Sequence, residues 1–186
     1  MLILVIGDLH IPFRSHAIPP SFRENLSSGK IFQVLCTGNL CTRAELDLLK
    51  TFCSDVRMVR GEFDDDDLCE SENLQVNAGS FKIGVASSYT IIPSNDKSRL
   101  AAKARELDVD ILCFGGGHRA GIFEEDGRLF INPGSATGAF TSDSVDIRPS
   151  FVLINIQGAQ AVIFTYTLNE DGQIDVKKTG FKKDEE

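Results

Sequence analysis

Apolar residues fall along the chain in short unbroken runs first and in alternating runs later. Leu2 to Ile6 is continuous, the pattern of a strand covered on both faces. "IFQVLC" (31–36), "DVRMVRG" (55–61) and "VDILCF" (109–114) read as further strands. "PPSFRENLSSG" opens on Pro19-Pro20 and closes on Gly29, which predicts a short helix between the first two strands. "TRAELDLLKTFC" (42–53) sets Leu46, Leu49 and Phe52 on one face, with Thr42 as N-cap and Glu45 completing a capping box. The resulting βαβαβ order predicts parallel strands joined by crossover helices.

Beyond the third strand the period changes. "NLQVNAGSFKIGVAS" has two alternating runs around Ala78-Gly79, a β-hairpin signature. "DKSRLAAKARELD" (96–108) predicts a helix with Leu100, Ala104 and Leu107 on one face. "GIFEEDGRLFIN" predicts a hairpin turning at Asp126-Gly127, and "SFVLINIQGAQAVIFTYTL" one turning at Gly158. "QIDVKKTGF" closes the fold. The pattern predicts one α/β domain over residues 1–182 with two sheets, the second largely antiparallel, and a charged tail at 183–186.

Charge narrows the function. The balance of 19 basic and 27 acidic residues gives −8, against a sequence-independent grip on nucleic acid or adhesion to anionic lipid by charge. The apolar start is cut short by Asp8 and has no basic lead, so it does not read as a signal peptide. No run approaches the length of a membrane span. A cytoplasmic location is expected, with any membrane reached through a partner. The cysteine count is five and odd, without a C-x-x-C, which suggests reduced thiols, Cys36 and Cys113 among them as small core residues.

Chemistry is expected where strands end, because ligands of open α/β sheets gather at carboxyl ends. Asp8 and His10 follow the first strand in "GDLH", Gly38 and Asn39 the second in "TGNL", and Gly61, Glu62, Phe63 and Asp64 the third in "RGEFD". Ser87 follows "FKIGVA", and His118 follows "DILCF". Each piece alone is a common turn; their order together is more specific.

That order resembles the calcineurin-like metallophosphoesterases, whose pattern is D-x-H, G-D, G-N-H-D/E, a later His and G-H-x-H. The resemblance implies a four-layer αββα sandwich of the metallophosphoesterase type and a two-metal centre, in which a bridging carboxylate holds two cations about 3.5–4 Å apart. Asp8 and His10 match. Asn39 replaces the bridging Asp, Glu62 the Asn, Phe63 the catalytic His, and Ser87 a metal-binding His. Gly116 replaces the first His of G-H-x-H, and His118 keeps the second. A first site of Asp8, His10, Asn39 and His118 is thereby expected to survive in vestigial form. The second site loses two imidazoles and an anion, which Ser and Gly cannot replace.

One branch fits more closely, the phosphoesterase-like subunits of retromer, the vacuolar protein sorting complex. "IGDLHIP", "LCTGNLCT", "VRGEFD", "FKIG", "DVDIL", "INPGSATGA" and "PSFVL" carry the likeness from Met1 to about residue 180. The resemblance implies a non-catalytic scaffold in endosome-to-Golgi retrograde transport, peripheral on endosomes through the complex. Its former active-site face would meet an α-solenoid subunit, with Ile91 and Ile92 of "TIIPS" in that contact. A second apolar patch at Leu2, Leu26, Leu153 and Tyr166 would take regulators of endosomal small GTPases. No cofactor is required, with one divalent ion, Zn²⁺ or Mn²⁺, at low occupancy. The alternative is a weak metal-dependent phosphodiesterase using the one surviving site. "DDDD" (64–67) lacks the spacing of a calcium loop and is read as a solvated face. "NPGSATG" (132–138) is read as a tight loop beside the former active site.

Overall fold

The computed structural model describes residues 1–93, 95–142 and 145–183. The elements run β1 (Leu2–Ile6), α1 (Pro20–Ser28), β2 (Gln33–Cys36), α2 (Arg43–Phe52), β3 (Val56–Met58), β4 (Asn73–Ala78) and β5 (Phe81–Ala86). A single 3₁₀ turn (Ser88–Thr90) precedes α3 (Lys97–Glu106) and β6 (Ile111–Phe114). The remainder is β7 (Gly121–Glu125), β8 (Arg128–Asn132), β9 (Ser150–Gln157), β10 (Gln160–Leu168) and β11 (Ile174–Lys182).

Two sheets are stacked. One has the order β11-β10-β9-β1-β2-β3 and the other β4-β5-β6-β8-β7. The continuous apolar character of β1 has a direct cause. Side chains alternate between faces, and both faces are covered: Ile3 and Val5 enter the layer between the sheets, while Leu4 and Ile6 pack under α1 and α2. A third layer sets Leu100, Ala101 and Ala104 of α3 against Leu112 and Phe130 of the second sheet. Helices, sheet, sheet and helix make the expected αββα sandwich. Cys113 lies in the layer between the sheets and Cys36 in the layer under α1 and α2; all five thiols are free.

Several boundaries differ from the sequence reading. Both sheets are mixed, and the second is not largely antiparallel: two of its four strand pairings are parallel, whereas three of the five pairings in the first sheet are antiparallel. β7 and β8 join the second sheet, where β5, β6 and β8 run parallel, whereas β9 to β11 join β1 in the first. A strand as fully buried as β1 needs a hydrogen-bonding neighbour on each side, and β9 supplies it. β2 begins at Gln33, so Ile31 and Phe32 lie outside it, and Phe32 is 58% exposed. The first hairpin turns on Gly79-Ser80, one residue later than expected, since Gly79 holds the positive φ. The capping box at α2 does not form, because Thr42 makes no side-chain cap bond; α3 is capped instead by Asp96, which accepts from Arg99 N. Lys183 is not solvated tail: its Nζ donates to Asp110 at 2.8 Å and to Ser80 O at 3.2 Å. Tail residues 184–186 lie outside the described residues.

Candidate metal centre and cleft

The parallel strands deliver Asp8 and His10 after β1, Asn39 after β2 and His118 after β6. All four adopt positive φ, between 49° and 59°. Such backbone is uncommon for residues with a Cβ and clusters at functional sites. Close packing of the turns leaves no room for larger residues: a Cβ on Gly61 would lie 2.2 Å from Asn39 Oδ1.

Asp8, His10 and His118 converge as a buried cluster whose ligand atoms all lie within 4.8 Å of one another. The two imidazole Nε2 atoms are 3.1 Å apart, and each is 3.9 Å from Asp8 Oδ1. A tetrahedral ion with bonds of about 2.0–2.1 Å spaces its donors roughly 3.3 Å apart, so small shifts would close this set. His118 Nδ1 donates to Ala139 O at 2.7 Å. That bond fixes the tautomer and aims the Nε2 lone pair inward. Burial drives the His10 pKa down to about 3, with His118 and Arg14 adding to the effect, so His10 is neutral and able to ligate. Burial raises the Asp8 pKa, opposed by His118 and by hydrogen bonds from Asn39 and Gly116. A cation here would offset that desolvation. Two imidazoles and a carboxylate suit one borderline-soft divalent ion.

Asn39 stands beside this trio but does not complete it as expected. Its Nδ2 donates to Asp8 Oδ1 at 2.9 Å, and its Oδ1 accepts from Phe63 N at 3.1 Å. The amide thus presents a donor, not an oxygen, to the cluster. The second site is absent among the described residues. Ser87 is buried with its Oγ donating to Arg60 O, and Gly116 contributes only its N–H to Asp8 Oδ2. Glu62 is exposed on the wall of the cleft.

The supports around the cluster were not legible as such in the sequence. Asp64 is 7% exposed, not part of a solvated face; its carboxylate accepts from Asn39, Cys41 and Gly61 backbone N–H, tying the loops after β2 and β3. Asp65, Asp66 and Asp67 are exposed. The loop at 132–138 does lie beside the site: Ser135 Oγ donates to Asp8 O and Thr137 Oγ1 to Leu9 O.

A cleft of about 370 Å³ opens above the cluster, lined by Arg14, Glu62, Phe63 and Phe140 among others. Phe63 meets His10 edge-on at 5.2 Å. Arg14 lies over the Phe63 ring at 4.5 Å and donates to Phe140 O at 3.1 Å. Phe140 is 72% exposed, Phe13 74% and Val145 89%. Of the expected apolar pair, Ile92 is 69% exposed, but Ile91 is buried under α3 and is not available to a partner. Ile91 is withdrawn because α3 needs an apolar floor. Leu2, Leu26, Leu153 and Tyr166 line a single groove far along the chain's first sheet, with Leu26 buried as its floor and the other three half-buried.

The family model for the calcineurin-like phosphoesterase superfamily domain matches residues 1–159. Vacuolar protein sorting-associated protein 29 of Schizosaccharomyces pombe is 42% identical over 189 residues, covering 100% of both chains. The chain belongs to the Vps29 family. The crystal structure of Chaetomium thermophilum Vps29 superposes with a TM-score of 0.94 at 42% identity, covering 98% of this chain and 99% of that one. Wild-type Vps29 of Entamoeba histolytica, in complex with Zn²⁺, gives a TM-score of 0.92 at 42% identity, covering 98% and 100%. The Vps29 assignment agrees with the retromer resemblance carried by "LCTGNLCT" and "INPGSATGA". No helix among the described residues is long and apolar enough to cross a membrane.

Proposed function

We propose that this chain is a non-catalytic scaffold subunit of retromer in endosome-to-Golgi retrograde transport. The cleft face docks on the α-solenoid subunit, and the groove of Leu2, Leu26, Leu153 and Tyr166 takes regulators of endosomal small GTPases. The chain reaches endosomes through that complex.

One observation carries the reading. Where a leaving-group acid would stand, Phe63 packs on His10, and the cleft wall carries the exposed rings of Phe63 and Phe140. Two-metal phosphoester chemistry needs a second cation and a proton donor. Neither Ser87, Gly116 nor Phe63 supplies one. Exposed apolar residues grouped at one face are characteristic of partner surfaces. The Zn²⁺ complex of the Entamoeba relative supports a divalent ion at Asp8, His10 and His118 here.

Co-purification from extracts of the source cells tests the docking reading. The chain should retain an α-solenoid protein, and Ile92→Asp should release it while Leu153→Asp does not. Retention unaffected by Ile92→Asp would remove the cleft face from the contact. The phosphodiesterase reading is supported by the intact imidazole–carboxylate trio alone. Incubation with Mn²⁺ and a generic phosphodiester should give no turnover above buffer; turnover lost in Asp8→Ala would establish it.

A further inference from the structure

The Asn39 amide is held at both ends, by different sides of the cleft. Its NH₂ is bonded to Asp8 Oδ1, the oxygen that faces both imidazoles. Its carbonyl oxygen is bonded to the Phe63 backbone N–H. The first bond places a partly positive hydrogen against the very oxygen that an ion would need. The second leaves no lone choice of orientation, because an N–H can only donate. A half-turn of the amide would bring its oxygen to the cluster but would set NH₂ against N–H at Phe63.

We propose that Asn39 is a two-position switch that links ion occupancy to the shape of the cleft rim. Without an ion, the amide NH₂ substitutes for a cation at Asp8 and its oxygen anchors the Phe63 loop. With an ion on Asp8, His10 and His118, the amide turns its oxygen inward and the Phe63 N–H loses its acceptor. Phe63 does not move alone. Its ring carries the Arg14 guanidinium, and Arg14 holds Phe140 O. The ion state is thereby transmitted to the exposed aromatic groups on both sides of the cleft. The inference extends the scaffold reading: if a partner docks on the rim as built, ion and partner oppose each other. The opposition is reciprocal, as linkage requires.

The test uses the full chain labelled with ¹⁵N and titrated with Zn²⁺ alone. Saturation should shift the Phe63 amide and speed its solvent exchange about fivefold, the scale of one lost net hydrogen bond. In Asn39→Asp, one carboxylate oxygen can bind the ion while the other keeps the Phe63 N–H. The Phe63 amide should then stay in place as Zn²⁺ affinity rises roughly tenfold, the scale of changes around metal ligands. A Phe63 amide that is unmoved in the wild type while the His118 ring signals shift overturns the switch. So does the absence of any Zn²⁺ response at His118. A second arm measures binding of the co-expressed solenoid subunit, expected to weaken about fivefold in saturating Zn²⁺. If Phe63 responds but this affinity does not, the switch stands and it is the docking reading of the cleft that fails.

Discussion

Two imidazoles 3.1 Å apart with a buried carboxylate 3.9 Å from each form an arrangement whose stability depends on pH and on ions. Zn²⁺ at about a hundredfold above its dissociation constant should stabilise the fold by roughly 2.7 kcal/mol, raising Tm by about 5–10 °C. Asp8→Ala and His118→Ala should each abolish that rise in a thermal scan. The pH response follows from His10. Its folded pKa, about 3, lies below the unfolded value near 6.5. The unfolded chain therefore takes up a proton first, and stability is lost as pH falls from 6.5 towards 3. Asp8 has the opposite sign, since its raised pKa makes ionisation in the fold costly above the ordinary carboxylate range. Comparing wild type with His10→Gln isolates the first contribution: metal-free wild type should lose more Tm than the variant between pH 7 and pH 4. At this scale the sequence was informative about identity and poor about orientation. Asp8, His10 and His118 could be read as strand-end ligands. The direction of the Asn39 amide could not, because it is fixed by Phe63, which is 24 residues away. Asp64 was misplaced for the same reason, being tied to the loop after β2, whereas Ile91 was misplaced because its burial depends on how α3 folds back over it.

Helix caps separate local signal from tertiary outcome. Thr42 and Glu45 satisfy the sequence rule for a capping box yet make no side-chain cap, whereas Asp96 does cap α3 through Arg99 N. Asp96→Ala should therefore cost about 1 kcal/mol, or roughly 2–4 °C in Tm, and Thr42→Ala close to nothing in the same thermal melts. Between sheet and α1, Phe22 meets Phe151 edge-on at 4.7 Å, and both are fully buried. Phe22→Ala should cost about 3–5 kcal/mol by chemical denaturation, the range for a deleted core aromatic. Strand existence and helix faces were legible from periodicity. Strand ends were less so: β3 stops at Met58 although its apolar run continues, because the chain leaves the sheet to place Gly61 against Asn39. Sheet membership was the least legible, since alternation marks a strand without naming its neighbour.

At the scale of the molecule, apolar residues are divided among three layers, one between the sheets and one under each helix layer. The βαβαβ start and the late hairpins were sufficient to foresee four layers, while the mixed character of both sheets emerged only from pairing. The layering has a use in following how the protein opens. Cys113 lies between the sheets and Cys36 under α1 and α2, and burial holds both thiols far above their ordinary pKa. Neither can react with an alkylating agent while its own layer is closed, since the thiolate is the nucleophile. Cys53 and Cys69 are only partly buried. In pulses of iodoacetamide at rising urea, the mass added at Cys36 and at Cys113 thus becomes a pair of clocks. Equal rates mean the sandwich opens as one cooperative unit, and an earlier Cys36 means its helices lift before the sheets part.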